Sequence, residues 1–378
     1  MNLDQPALFQ NISTVSSTEG IKYAGSKRKL LPHILEIIDS VQPRTVFDGF
    51  TGTTRVAQLL AKAGYGVIAN DISIWSKQFA TCYLLNKKPR HYYNELIAHL
   101  NHLEGIDGWF SEHYGGYANN GSAVQADGLK KPWQLQNTRK LDAIREEIDR
   151  LDLDEIEQAV ALTSLILALN KVDSTIGHYA SYLRKWSPRS YNLMELEVPR
   201  VFVNETDNQV FHGDIFDTIE HVEADLAYFD PPYGSNNEKM PPSRVRYAAY
   251  YHVWKSVCLN DHPPLFGKAG RRQDSSDRVT LNPFEDFRQN EATGHFIAVE
   301  AIERLISKVN AEYVLLSYSS GGRATAVNLH EIMERQGELV RVIELDYRKN
   351  VMANMKWTNE WVKEAQEPHR EFLFLIRK

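Results

Sequence analysis

Ala227-Tyr228-Phe229-Asp230-Pro231-Pro232-Tyr233 is an apolar run that stops at an acid followed by two prolines. The prolines fix φ twice, remove two N–H donors and hold Asp230 out of the helical region, so the run reads as a buried strand leaving its sheet. Open α/β sheets bind ligands at the carboxyl ends of their strands. At such an edge the Asp230 carboxylate and the Pro231 carbonyl are an acceptor pair, with the Tyr233 ring beside them as a platform. A planar amino group on an aromatic base suits that set. A strand followed by a Pro-rich turn, with Tyr233 as ordinary packing, accounts for the tetrapeptide equally well, so the choice rests on the rest of the chain.

Working outward, three more strands are read as ending in an acid. Thr45 to Asp48 leads into Gly49-Phe50-Thr51-Gly52-Thr53-Thr54 and a helix from Arg55 to Ala63, the first β-α unit of a doubly wound sheet. Gly64 ends that helix, and Tyr65 to Asp71 is the second strand. Its acid lies at the spacing at which such folds hold a ribose diol, so Asp71 reads as the ribose acid; a helix cap for the Ile72 to Leu85 segment is the weaker alternative, because Asp48 and Asp71 occur together at that spacing. Gln209 to Asp214 is the third strand, and Asp230 ends the fourth. Upstream, Ile21-Lys22-Tyr23-Ala24-Gly25-Ser26-Lys27 feeds a helix with apolar residues at Leu30, Leu31, Ile34, Leu35 and Ile38. Ser26 is placed to cap that helix, and a helix amino terminus beside Lys27 favours an anionic group such as a carboxylate. The turns match neither GxGxxG nor the Gly-Lys-Ser/Thr of a phosphate loop, which argues against a hydride-transfer enzyme or a P-loop enzyme.

From about Asn86 to Arg200 the α/β alternation stops. Tyr92 to Leu103, Gln136 to Leu151 and the apolar Glu155 to Lys171 read as helices, and Gly115 to Lys131 as a loop. Thr175 to Trp186 interleaves aromatic and basic residues. Residues 86–200 are therefore read as an inserted, mainly helical domain carrying recognition, with a helical cap on the sheet as the plain alternative. Residues 1–20 read as a flexible segment, and 21–85 with 201–378 as the catalytic domain. Beyond Tyr233, Tyr247 to Lys255 is an aromatic segment flanking the same edge, and His262 to Phe287 reads as a mobile loop. Helices at 295–309 and 327–336 alternate with strands at 313–318, 340–347 and 371–377; the basic connection Arg348 to Lys363 offers a contact for a phosphate backbone.

Composition bounds the partners. The chain of 378 residues carries a net charge of −6, so bulk charge does not hold it on nucleic acid. Basic residues nevertheless cluster at 22–29, 184–189, 268–272 and 341–356, and a phosphate groove requires those clusters to converge. Cys82 and Cys258 form no disulfide framework and no CxxC pair. No metal-ligand spacing is present. No apolar run approaches a membrane span and no secretory signal pattern opens the chain, so the expected location is the cytoplasm.

Taken together, the motifs resemble the S-adenosylmethionine-dependent DNA adenine-N6 methyltransferase family, in the group whose recognition region lies between the cofactor motifs and Asp-Pro-Pro-Tyr. The likeness covers Lys22 to Ser73 and Gln209 to Lys378. It implies a Rossmann-like doubly wound methyltransferase sheet with S-adenosylmethionine as cofactor. By this resemblance Tyr23 and Lys27 contact the cofactor, and Asp48, Phe50 and Gly52 belong to a motif at its methionine end. Asp71 holds the ribose and Asp214 the adenine amino group, while Asp230, Pro231, Pro232 and Tyr233 receive the target base, Asp230 also bordering the cofactor. Gly49 stands where the family has proline, and Thr54 where it has a second glycine. The likeness extends to restriction-modification enzymes around Lys171 to Tyr179, and implies double-stranded DNA with a flipped adenine as substrate and a cognate restriction endonuclease as functional counterpart. An RNA adenine-N6 methyltransferase, or a non-catalytic DNA-binding protein on a degenerate fold, are the alternatives. Cytosine-N4 and protein-glutamine enzymes carry Asn or Ser where this chain has Asp230.

Overall fold

The runs that lead to Asp48, Asp71 and Asp230 fold as strands because each is apolar on both faces and needs cover on both sides, whereas the run before Asp214 is exposed at Gln209 and His212 and lies at the end of the sheet. A computed structural model describes residues 18–234, 246–276, 279, 282–346 and 370–378 of the chain. The main strands are β1 (Thr45–Asp48), β2 (Gly66–Asp71), β3 (Gln209–His212), β4 (Glu223–Phe229), β5 (Asn310–Ser319), β6 (Glu338–Asp346) and β7 (Arg370–Arg377). They form a seven-stranded sheet in the order β6-β7-β5-β4-β1-β2-β3. β1, β4 and β5 are mutually parallel, as are β2 and β3, whereas β7 runs antiparallel to both β5 and β6. The expected α/β class therefore holds, and the strand order reverses at the β1–β4 pair, the kind of position where open α/β sheets bind ligands.

The chain divides into two compact units. One comprises Met1–Glu36, Thr51–Gly213 and Ala248–Thr280; the other comprises Ile37–Phe50, Asp214–Tyr247 and Leu281–Lys378. In the second unit β1 and β4 pair in the register Val46↔Leu226, Phe47↔Ala227 and Asp48↔Tyr228. Their far ends are tied by Asp225, whose Oδ2 accepts from the amides of Arg44 (2.7 Å) and Thr45 (2.9 Å). Helices α7 (Ile297–Lys308) and α8 (Ala326–Gln336) belong to this unit, the second started by a reciprocal cap between Thr325 and Asn328.

In the first unit, α2 (Arg55–Lys62) follows the Thr51–Thr54 turn and ends near Gly64, which takes φ +94°. Helix α3 (Ile74–Ala80) runs into a single wide turn at Thr81–Leu85 instead of continuing as one regular helix. Between residues 86 and 200 lie α4 (Asn94–His102), α5 (Leu135–Arg150) and α6 (Glu155–Lys171), the last opened by an Asp154–Glu157 capping box. The core there is aromatic: the buried Trp133 lies 5.2 Å from Tyr179 and 5.9 Å from Trp254, and donates Nε1–H to the Leu169 carbonyl at 3.0 Å.

Two expectations need correcting. Ser26 makes no side-chain cap: Lys27–Lys29 form a 3-10 turn, and α1 (Leu31–Val41) begins after it, although Leu30, Leu31, Ile34, Leu35 and Ile38 are buried as its spacing requires. The segment after His262, read as a mobile loop, contains a short hairpin pairing Leu265–Phe266 with Arg271–Arg272. The buried Arg272 holds it by donating to Asp261 (2.6 and 2.7 Å) and Asp274 (3.0 Å twice), while Lys255 donates to Asp274 at 2.8 Å. Polar composition suggested mobility, but the polar side chains bond one another. The amino-terminal residues 1–17, positions 277–278 and 280–281 of the 262–287 loop, and the basic connection Arg348 to Lys363 lie outside the described residues.

Candidate active site

β4 delivers its last apolar residue, Phe229, fully buried, and the prolines then turn the chain off the sheet edge. Tyr233 swings back, so that its hydroxyl donates to Asp230 Oδ1 and lies 3.3 Å from Glu371 Oε2. One face of Tyr233 rests on Tyr318, with ring centroids 4.6 Å apart. Its carbonyl is held twice, by the Arg323 amide at 2.7 Å and the Tyr318 hydroxyl at 3.1 Å. Burial, followed by the carboxylates of Asp230 and Glu371, keeps the Tyr233 phenol well above its ordinary range and therefore protonated. Asp-Pro-Pro-Tyr is thus fixed in place by a turn some 90 residues downstream (323 − 233 = 90).

That turn has no space to spare. A Cβ built on Gly322 would stand 2.4 Å from the Tyr318 ring. Gly322→Ala is expected to displace Tyr318, loosen its bond to the Tyr233 carbonyl and cost about 1–3 kcal/mol; a guanidinium unfolding curve measures it, and an unchanged midpoint would count against this packing.

Asp48 ends β1 at 1% exposure. Directly after it, the Gly49 amide donates to the Tyr228 carbonyl at 3.1 Å, and a Cβ on Gly49 would stand 2.7 Å from the Phe229 ring and 2.9 Å from Ile215. The departure from proline at this position follows: neither the missing N–H nor the added atoms are tolerated. Phe50 packs edge-on against Phe229 and Phe284, at 6.2 and 5.2 Å. Phe284 in turn stacks on Phe216 at 5.7 Å. Asp214 lies two residues past the end of β3, not on it; it is exposed and caps the short Ile215–Thr218 helix by accepting from the Phe216 amide at 2.8 Å. Asp48, Phe50 and Asp230 therefore gather around the ends of β1 and β4, and the Phe216–Phe284 stack links Asp214 to them.

The first unit brings Tyr23, Gly52 and Asp71 together. Gly52, at φ +52°, donates its amide to Asp71 Oδ2 at 2.8 Å, while Asp71 Oδ1 accepts from the Ser73 amide at 2.8 Å. Ser76 Oγ donates to the Gly52 carbonyl at 2.6 Å. Asp71 thus serves the start of the next helix and the glycine turn at once. Burial raises its pKa, opposed by these hydrogen bonds. The Tyr23 ring lies 3.4 Å from where a Gly52 Cβ would stand, stacked 4.8 Å from Tyr251, whose hydroxyl accepts the Ala24 amide at 2.8 Å. Lys27 is 6% exposed and donates Nζ–H to the Gly25 carbonyl at 3.0 Å. Thr54 occupies the left-handed region at φ +61°, where the resembled family has glycine; its hydroxyl accepts from Gln58 Nε2 at 2.7 Å, which offsets part of the strain.

The two cysteines are buried, and burial pushes the Cys258 thiol up to about 12 and raises Cys82 as well, which disfavours the thiolate form of both. Among the described residues no cluster of His, Cys, Asp and Glu could hold a metal ion, and no helix is long and apolar enough to cross a membrane. The sequence missed Ser76, Tyr318, Arg323 and Glu371; Tyr251 lay within an aromatic run already singled out.

An α/β sheet with carboxylates at its switch point and a fixed Asp-Pro-Pro-Tyr defines the class, and residues 23–282 match the D12 class N6 adenine-specific DNA methyltransferase family. The chain belongs to that family. Among curated relatives, modification methylase StsI of Streptococcus sanguinis is 28% identical over 90% of this chain and 50% of its own length. Type II methyltransferase M.FokI of Planomicrobium okeanokoites is 25% identical over 95% and 53%. Type II methyltransferase M2.HphI of Haemophilus parahaemolyticus is 27% identical over 94% and 97%. The chain thus spans about half the length of the first two relatives.

Proposed function

We propose that this protein transfers a methyl group from S-adenosylmethionine to N6 of adenine in double-stranded DNA, as the modification component of a restriction-modification system with a cognate endonuclease as functional counterpart. The observation that carries the reading is the Asp230 carboxylate at the end of β4, with the Tyr233 hydroxyl on one oxygen and the Tyr233 carbonyl anchored by two donors. In this reading Asp71 accepts from the ribose hydroxyls, Asp48 faces the methionine end, Asp214 accepts from the adenine amino group, and Tyr23, Lys27, Phe50 and Gly52 line the cofactor. The residues fit such a group: half-buried and buried carboxylates offer acceptors, and a glycine turn under an aromatic ring permits close approach.

The cofactor supplies an electrophilic sulfonium methyl. The protein's task is the nucleophile. An exocyclic amine conjugated to its ring donates poorly until both hydrogens are held, and Asp230 with the Pro231 carbonyl are the acceptors that free its lone pair for in-line attack. A base within a duplex cannot reach a sheet edge, so the target is flipped out at a cost of about a few kcal/mol, with Tyr233 stacking on the extruded ring. Residues 86–200 are the recognition domain of this reading, and the exposed Lys22, Arg28, Lys29, Arg184, Lys185 and Lys268 are its candidate phosphate contacts.

Tritiated-methyl transfer to unmethylated duplex DNA, followed by nucleoside analysis and sequencing, tests it. N6-methyladenine at one recurring sequence is expected; transfer to RNA alone, or cofactor binding without transfer, would overturn it. Asp71→Ala should weaken S-adenosylmethionine binding about 10–100-fold in calorimetry, the value of a charged hydrogen-bond pair, with unchanged affinity ruling out the ribose assignment.

A further inference from the structure

The Tyr233 phenol has one hydrogen and two carboxylates within reach: Asp230 Oδ1, to which it donates, and Glu371 Oε2 at 3.3 Å. Glu371 begins the run of β7 that pairs with both neighbours, opposite Ser319 on β5 and Leu345 on β6, and is only 8% exposed. A carboxylate so placed in a sheet interior is costly unless it is bonded. Its nearness is seen again at Tyr228, whose buried phenol is held up first by burial and then by Asp230, Asp48 and Glu371.

The arrangement presents a conflict that the second acceptor resolves. While the phenol donates to Asp230 Oδ1, that oxygen has less capacity for a substrate amine. We propose that Glu371 is a positioning residue: it takes over the Tyr233 hydroxyl hydrogen when an amine hydrogen engages Asp230, leaving Asp230 ionised, oriented and available, and keeping Tyr233 in place throughout. The proposal rests on the amine-methylating reading above. It assigns Glu371 no contact with substrate or cofactor; its effect runs through Tyr233.

A double-mutant cycle tests it, using Glu371→Ala, Glu371→Gln and Tyr233→Phe in single-turnover methyl transfer to duplex DNA, with cofactor and DNA affinities and unfolding midpoints measured on the same proteins. Glu371→Ala should slow transfer about tenfold in the parent and by less than about twofold in the Tyr233→Phe background, because the hydroxyl through which it acts is gone. Glu371→Gln, which keeps an oxygen acceptor, should retain most of the rate, and both affinities should stay unchanged. Equal losses in the two backgrounds, or a Gln variant as slow as Ala, would overturn the proposal. Failure of the underlying reading looks different: the parent protein itself would bind cofactor and transfer nothing to adenine.

Discussion

Asp230→Ala should lose at least about 10²–10³-fold in the methyl-transfer step, the scale on which a fixed group aimed at developing charge contributes. The residue directly follows Phe229, the last residue of a buried strand, so the sheet fixes where it emerges. Removing the carboxylate takes away the proposed acceptor of the amine and the partner that holds the Tyr233 hydroxyl. Asp230→Asn is nearly isosteric and should also be slow, since one oxygen becomes a donor facing an amine that already donates. Cofactor affinity should be weakened but measurable in both. Single-turnover kinetics at saturating cofactor and DNA isolate the step, and near-normal rates for Asp230→Ala would end this account of the site.

The second large effect concerns stability. Gly49→Pro, which restores the residue found in the resembled family, should destabilise the protein by about 3 kcal/mol or more. The ring removes the N–H that bonds the Tyr228 carbonyl, and its atoms enter space held by Phe229 and Ile215. Gly49→Ala keeps the donor and should fall between the two, at about 1–3 kcal/mol. Chemical denaturation of the three proteins gives the order; a proline variant as stable as the parent would mean that the backbone here relaxes freely. Family consensus is a poor guide at this position because neighbouring side chains have filled the space.

The sheet and the acids at its edge were legible for a common reason. A parallel strand buried on both faces reads as a continuous apolar run, and an acid closing such a run has few places to go but the edge. Asp48 and Asp71 close their strands and Asp230 directly follows β4, whereas Asp214, read the same way, lies two residues beyond β3 as a helix cap. Glu371 carried no such signal. In the sequence it looks like an exposed acid near the start of a strand, and it becomes relevant only because β7 inserts between β5 and β6 and buries it, a matter of topology. Ser26 was misread because its residue type suits a cap while the backbone leads into a 3-10 turn. The polar hairpin around Arg272 shows the opposite error, since its charges pair locally.

The β1–β4 pairing also bears on the biogenesis of the protein. Val46 waits for Leu226, 180 residues later (226 − 46 = 180), and the whole inserted region lies between them. At about 5–20 residues per second, a ribosome takes roughly 9 to 36 seconds to supply that partner. During that interval β1 can pair with β2 on one side, but its other backbone edge stays open as a template for the wrong neighbour, and pairings of such long range close slowly. Chain elongation therefore favours early pairing of β1 with β2, and recovery of soluble protein is expected to depend on synthesis rate as well as on final stability.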